Sequence, residues 1–172
     1  MALPARFECT KNLTESMQTL EPSLENKYFA DHIWLLAQSF RKLLGKELLK
    51  SQDPQDLAKA IFYAPFMLLS HNTELDPIFT YGNQTALRLF ELNWQELTTM
   101  PSRQSAEPML QYDRSLFLKT VSEQGYIDNY KGVRISKSGK KFLLQNAIVW
   151  NLVDDQNIYH GQAAICYDWD FI

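Results

Sequence analysis

Three strand-like segments joined by two short turns form the last third of the chain, and they constrain the fold more than any other feature. The residue pattern predicts strands over residues 126–136, 141–153 and 158–169. The turns between them are Lys137-Ser138-Gly139-Lys140 and residues 154–157. Turns this short join antiparallel neighbours, because parallel strands need a long crossover connection. The segment therefore predicts an antiparallel sheet.

Apolar residues in the last two segments predict which face of each strand is buried. On strand 141–153 they are Phe142, Leu144, Ile148, Trp150 and Leu152, and Asn146 interrupts that face. On strand 158–169 the corresponding face carries Gly161, Ala163, Ile165 and Tyr167. The small residues of that last set indicate a place where another backbone or a ligand comes close.

A strand pair and several helices precede this sheet. Residues 66–71 and 78–81 predict two strands joined by a polar turn. Residues 84–92 and 94–97 predict short helices, with Asn93 as the cap of the second, and residues 112–124 predict a longer helix that Gly125 ends. The predicted inner stripe of the longer helix is Leu116, Phe117, Thr120 and Val121.

The first 64 residues lack strand signals. Residues 1–22 predict a loose arm, and residues 24–49 predict a long helix that Gly45 ends or kinks. Its apolar stripe, which either the domain or a second copy must cover, consists of Phe29, Ile33, Leu36, Phe40, Leu43 and Leu44. Asp53 and Pro54 then begin a short helix that runs to about residue 63.

Together these elements predict an α+β fold. It is a five-stranded antiparallel sheet with helices on one face and an N-terminal flanking helix, and its strand and helix order resembles that of PAS domains. The predicted divisions are an arm over residues 1–22, flanking helices over 23–64 and a PAS-like domain over 65–172.

Composition excludes several classes of function. The chain has 172 residues, 45% of them apolar and 22% charged, which fits one folded domain. A net charge of −3 argues against nucleic-acid binding. The densest basic stretch, residues 131–141, predicts a solvated face of a hairpin. Without a signal peptide or a membrane-length apolar run, and with Cys9 and Cys166 predicted as free thiols, we expect a cytoplasmic protein with no membrane partner.

Several stretches resemble the MEKHLA family, a PAS-related domain. They are Leu69-Ser70-His71-Asn72, Asp76-Pro77-Ile78-Phe79, Tyr81-Gly82-Asn83-Gln84-Thr85-Ala86-Leu87, Pro101-Ser102-Arg103-Gln104-Ser105-Ala106-Glu107-Pro108, Gly132-Val133-Arg134-Ile135-Ser136, Val149-Trp150-Asn151-Leu152 and Gly161-Gln162-Ala163-Ala164. The resemblance covers roughly residues 25–170. It implies a PAS-like fold and a sensing or partner-binding role, and it supplies no catalytic residue. Since no homeodomain or zipper precedes these stretches, we expect the stand-alone bacterial form.

The segment between Pro101 and Pro108 holds the most distinctive candidate residue, Arg103. Its planar guanidinium could bind a carboxylate ligand, with Ser102 or Ser105 adding a hydrogen bond. The alternative is that Arg103 pairs with Glu107 or with the backbone and holds an irregular loop.

An apolar cavity between the sheet and the longer helix is the other candidate site. Its predicted lining is Leu69, Phe79, Trp94, Met100, Phe117, Val121, Ile148 and Trp150. The alternative is a packed core with no ligand.

Other kinds of site find little support. His71 lies near Glu74 and Asp76 without the spacing of a helical zinc motif, so it predicts a capped turn histidine, and His32 predicts a surface residue. PAS-type flavin photosensors carry a cysteine on a central helix, and this chain has none there. Haem sensors present a histidine from the longer helix, and residues 112–124 contain none.

Three hypotheses of function follow. The first is a non-catalytic sensory or signalling module that binds a small organic ligand or a protein partner. The second is a structural homodimer formed through residues 29–44. The third, more remote, is an enzyme with an atypical site around Arg103.

Overall fold

The computed structural model describes residues 20–172, which form five α-helices and six strands. A short 3-10 turn at Lys27–Phe29 leads into the first helix, and another lies at Ser102–Ser105. The helices are α1 (Ala30–Leu44), α2 (Pro54–Phe62), α3 (Gln84–Phe90), α4 (Trp94–Thr99) and α5 (Pro108–Gln124), and the strands are β1 (Met67–His71), β2 (Phe79–Gly82), β3 (Tyr126–Ile135), β4 (Lys141–Val153), β5 (Tyr159–Cys166) and β6 (Asp168–Phe171).

The strands form one antiparallel sheet with the order β2-β1-β5-β4-β3. The predicted last strand is interrupted at Tyr167, which separates β5 from β6. Both pieces pair with the same edge of β4, with Ile148 opposite Ile165 and Gln145 opposite Asp168. The sixth strand is therefore a continuation of the fifth, and the predicted antiparallel α+β architecture is confirmed.

Side-chain caps explain where the helices begin. The side chain of Asp53 accepts a hydrogen bond from Asp56 N at 2.8 Å and starts α2. Asn83 starts α3, and Asn93 forms a capping box with Glu96 at the start of α4. Asp53 and Asn93 were predicted as caps, whereas the capping role of Asn83 was not predicted.

Helix α1 is shorter than predicted and covers the sheet face opposite α5. The predicted helix over residues 24–49 is corrected to fifteen residues, because Gly45 takes a left-handed conformation with φ 66° and ends it. Leu36 is completely buried, and its carbonyl accepts a hydrogen bond from the Trp150 indole at 3.3 Å. Ser39 and Val153 exchange two hydrogen bonds of 2.9 Å, which dock the helix on β4.

The chain itself therefore covers the centre of the predicted apolar stripe, whereas Phe29, Leu43 and Leu44 at its ends are half-buried. Ile33, Leu36 and Phe40 are at most 2% exposed within one chain. The proposed homodimer interface through residues 29–44 is wrong for these residues, since a second copy cannot reach them without unfolding the helix from its sheet. The predicted arm over residues 1–22 lies largely outside the described residues.

The buried face of β4 changes side along the strand, which the sequence pattern did not indicate. Asn146 has a φ of 51°, and this left-handed residue adds an extra step to the alternation. Leu144 precedes it and Val149 follows it, yet both side chains face α5. Trp150, by contrast, faces α1, so the predicted single face from Phe142 to Leu152 is wrong.

Helix α5 begins earlier than predicted and exposes part of its predicted inner stripe. Pro108 occupies its first turn, whereas the sequence interpretation placed Pro108 before the helix. Leu116 is 49% exposed, and the inward positions are Arg114, Phe117, Leu118 and Val121. Gly125 ends the helix as predicted. Within residues 20–172, no helix combines the length and the apolar character that crossing a membrane requires.

Candidate ligand-binding site

A small cavity of about 40 Å³ lies between α5 and the face of the sheet that α1 does not cover. Most of its lining is apolar and comes from β1, β4, β5 and α5. Its wall comprises Met67, Leu69, Ser70, His71, Phe79, Phe90, Ser105, Arg114, Phe117, Leu118, Tyr130, Arg134, Leu144, Ala147, Val149, Gln162, Ala163 and Ala164. Such a volume has room for a few water molecules, and a ligand of ordinary size would need the walls to separate.

Arg114 projects from the inner face of α5 into this wall and is 9% exposed. Among the described residues, its Nε has no hydrogen-bond partner. Burial, and then repulsion from Arg134, lower the pKa of Arg114 to about 9, so the side chain is protonated at neutral pH. A cation this deeply buried is costly unless something neutralises it.

Arg134 reaches the same cavity from β3 and is 8% exposed. It donates to Tyr130 Oη at 3.1 Å and to the Val133 carbonyl at 2.8 Å. Its guanidinium also lies 5.4 Å from the centre of the Tyr130 ring, which stacks on Phe117 with ring centres 4.0 Å apart. A Cβ at residue 132 would overlap that tyrosine ring, so Gly132 permits the arrangement.

His71 adds a neutral acceptor to the polar part of the wall. Its Nδ1 lies 2.9 Å from the Asn72 carbonyl, which assigns the proton to Nδ1 and leaves Nε2 as an acceptor. Burial lowers the pKa of His71, against the hydrogen bond to the Asn72 carbonyl; the charge of Arg114 also lowers it and the nearby Gln162 side chain raises it. Among residues 20–172, His71 Nε2 has no hydrogen-bond partner.

No described carboxylate balances the two arginines. The ion pairs of the described residues join Arg103, Lys137, Lys140, Lys141 and His160 to acids, and neither Arg114 nor Arg134 takes part in one. The site is therefore a largely apolar cavity with two buried cations and one neutral imidazole. Such a set of groups favours an anionic partner.

The structure brings together only some of the residues predicted to line the cavity. Leu69, Phe79 and Phe117 line it. Val121 is buried one turn further along α5, outside the cavity wall. The placement of Ile148 and Trp150 is corrected, because both belong to the sheet face that α1 covers.

Two more of the predicted lining residues lie near the α1 side of the core. Trp94 packs on Phe29 and Tyr81, with ring centres 5.2 Å and 5.8 Å away. Met100 is half-buried against the same core. Of the eight residues predicted to line the cavity, three are in its wall, and ligand binding there stays a prediction.

Arg103 lies outside the cavity. Its Nε donates to both carboxylate oxygens of Asp76 at 3.1 Å, and the two side chains are 48% and 49% exposed. Glu107, the partner considered in the sequence analysis, instead pairs with Lys141 at 2.9 Å. Ser102 is buried outside the cavity wall, whereas Ser105 lines it and donates to the Ser102 carbonyl at 2.7 Å.

The sequence analysis missed both cavity arginines, although each left a signal. Arg114 lies three and seven residues before Phe117 and Val121, which is the spacing of one helical face. Arg134 belongs to the basic stretch interpreted as a solvated face, and its burial corrects that interpretation. The lysines of the stretch are exposed as predicted.

The other titratable candidates have structural contacts. His32 is half-buried and hydrogen-bonded to Ser70 Oγ at 2.8 Å, which corrects its prediction as a surface residue. Cys166 is buried, and Cys9 lies outside the described residues. Within residues 20–172, no three His, Cys, Asp or Glu side chains gather as metal ligands would.

Comparison with known protein families finds a match to one domain family. The model of the MEKHLA domain matches residues 30–171. Homeobox-leucine zipper protein HOX29 of Oryza sativa subsp. japonica is 27% identical over 144 residues, which cover 80% of this chain and 16% of that protein. Homeobox-leucine zipper protein ATHB-8 of Arabidopsis thaliana is 26% identical over 145 residues, covering 80% of this chain and 17% of that protein. The chain thus spans about a sixth of the length of these plant relatives.

Comparison with solved structures identifies the fold. The PAS domain of a protein from Colwellia psychrerythraea matches with a TM-score of 0.58 at 14% identity, covering 69% of this chain and 95% of that one. A light-oxygen-voltage domain studied with a flavin analogue matches with a TM-score of 0.55 at 17% identity, covering 68% of this chain and 84% of that one. At these identities the likeness establishes a PAS-like fold and no more.

Proposed function

The chain belongs to the MEKHLA domain family, and we propose that it is a sensory module that binds a small organic ligand between the sheet and α5. The observation that carries this proposal is the pair of unpartnered polar atoms in the cavity wall, Arg114 Nε and His71 Nε2. Buried polar atoms are nearly always hydrogen-bonded, because leaving one unsatisfied costs about 1–3 kcal/mol. A ligand in the cavity would satisfy both.

Helix α5 is the wall that has to move. Among its residues with described side chains, only Arg114 and Val121 are buried. Ser115, Thr120 and Ser122 each donate to the carbonyl four residues earlier, a contact that weakens and bends helices. A helix with so little buried surface can be displaced at small cost, which supports a cavity that expands when a ligand enters.

We propose that the module is not catalytic. Ser105 donates to a backbone carbonyl and not to a base. Ser70 Oγ lies 2.8 Å from Nε2 of His32, but burial lowers the pKa of that imidazole to about 4, which makes it a weak base at neutral pH. The flavin of light sensors also fits poorly, since a cavity of about 40 Å³ would have to grow severalfold. An enzyme built around Arg103 finds no support in the exposed pairing of that residue with Asp76.

The dimerisation hypothesis finds little support, because the central residues of the α1 stripe, Ile33, Leu36 and Phe40, are buried within one chain. A homodimer, a cytoplasmic location and a stand-alone bacterial form stay predictions. The functions of the plant relatives are not transferred to this chain.

Native mass spectrometry of freshly purified protein, beside the same sample denatured and an absorbance scan, tests the proposal. We expect an excess mass that disappears on denaturation, and expect it to be absent from Arg114→Met. The control Arg103→Met lies outside the cavity and should retain it. A bare mass for the wild-type protein, together with no thermal shift by any compound of a broad metabolite set, would contradict ligand binding.

A further inference from the structure

Resting on the proposed ligand-binding function, we infer that the ligand is an organic carboxylate with an apolar body, whose acid group lies between Arg114 and Arg134. The two guanidinium groups come from different elements, α5 and β3, and meet at the same cavity. Both are at least nine-tenths buried. A cavity for a neutral apolar ligand would need neither of them.

The first reason to expect an acid group is the positive charge of Arg114 and Arg134. Two buried cations that repel each other are unfavourable, and the described residues bring no carboxylate to either. The pair becomes favourable when an anion enters from outside. A carboxylate suits the site because its two oxygens match the fork of a guanidinium, and Arg114 Nε is available as a donor.

The second reason to expect an acid group is that Arg134 is held in place before any ligand binds. Its side chain is held by Tyr130 Oη and by the Val133 carbonyl, and the Tyr130 ring lies beneath it. An arginine fixed in this way loses little side-chain entropy when it binds, so it behaves as a preformed anchor. Arg114, which lacks such contacts among the described residues, would complete the grip as α5 moves.

The remaining lining indicates the rest of the ligand. The other wall residues are predominantly aliphatic and aromatic, which favours an apolar body. The free Nε2 of His71 is an acceptor, so a ligand hydroxyl or amine hydrogen could be recognised there.

The test compares acids with their neutral amides. Thermal shift and calorimetry are run with octanoate and octanamide, benzoate and benzamide, and phenylacetate and phenylacetamide, while any copurified small molecule is extracted and its mass determined. We expect binding of at least one acid and weakening of about 10- to 100-fold for its amide. Arg114→Met and Arg134→Met should show a loss of similar size, Arg114→Lys should recover part of it, and Arg103→Met should bind as the wild type does.

The outcomes separate this inference from the function on which it rests. If amides bind as tightly as acids, if the copurified molecule is neutral, or if the arginine variants bind normally, the acid group is refuted while ligand binding stands. If neither series binds and no small molecule copurifies, ligand binding and the carboxylate inference both fail.

Discussion

Replacing Arg114 with Met should make the ligand-free protein more stable. Burial and the charge of Arg134 lower the pKa of Arg114 to about 9, well below its ordinary value. A displacement of that size corresponds to roughly 5 kcal/mol, which is an upper limit for the free energy that holding the charge there costs. Met fills a similar length without charge, and replacement of buried ion pairs by apolar residues of similar volume is often neutral or stabilising by about 1–4 kcal/mol. We expect a gain of about 1–3 kcal/mol.

Thermal and urea unfolding, followed by circular dichroism on protein refolded from denaturant to remove ligand, measure this gain. For a chain of this size the melting temperature should rise by about 3–10 °C. The matched control is Arg103→Met, since Arg103 is half exposed and its pair with Asp76 contributes at most about 1 kcal/mol. Both variants lose one positive charge, so the difference between their free energies of unfolding reports the cost of burying that charge.

A fall in the stability of Arg114→Met, larger than that of the control, would refute the reasoning. Arg114 would then hold α5 in place, and the unpartnered Nε would not indicate a ligand. Agreement with the expectation would show that the chain retains a destabilising cation, as proteins do when a residue serves binding rather than folding.

Three further predictions test the fold. Leu36→Ala should cost about 2–5 kcal/mol in urea unfolding and leave the mass by light scattering unchanged, because Leu36 is a core residue. Burial is the main cause that lowers the pKa of His32 to about 4, so between pH 7 and pH 5 the unfolded chain takes up a proton that the folded protein does not. The free energy of unfolding should therefore fall by about 2 kcal/mol from pH 7 to pH 5, and it should fall less in His32→Gln. Asn83→Ala should cost about 3–5 kcal/mol in the same assay, because the buried Asn83 side chain makes four hydrogen bonds, whereas Gln84→Ala should change stability little.

The sequence predicted most elements of the fold because their signals are local. Asp53 and Asn93 cap helices through contacts within three residues, and Gly125 ends α5 through its own backbone. The pairings of β1 with β2, β3 with β4 and β4 with β5 also followed, since short turns join neighbouring antiparallel strands. Each of these predictions depends on residues close together in the chain.

The wrong predictions concern residues whose surroundings come from parts of the chain that are distant in sequence. The left-handed conformation of Asn146 reverses the faces of β4, and a lone asparagine in a strand does not indicate it. Leu36 packs beside Trp150, which is 114 positions further along the chain. The periodicity of the helix therefore could not distinguish packing within the chain from packing against a second copy. Arg114 and Arg134 were missed because charged residues are taken as exposed by default, a rule that fails at binding sites.

The way the sheet holds α5 shows which part of the helix can give way to a ligand. Gln162 donates to the Leu118 carbonyl and to Ser122 Oγ, and Asn151 donates to the Ser122 carbonyl. These bonds from β4 and β5 fasten the second half of the helix, whereas a partly exposed ion pair of Lys141 with the cap residue Glu107 is the contact from β4 at its start. Arg114 lies on the first half, where no described residue bonds its Nε. We therefore expect the first half of α5 to swing outward about its second half, which would enlarge the cavity and make room for an acid group between Arg114 and Arg134.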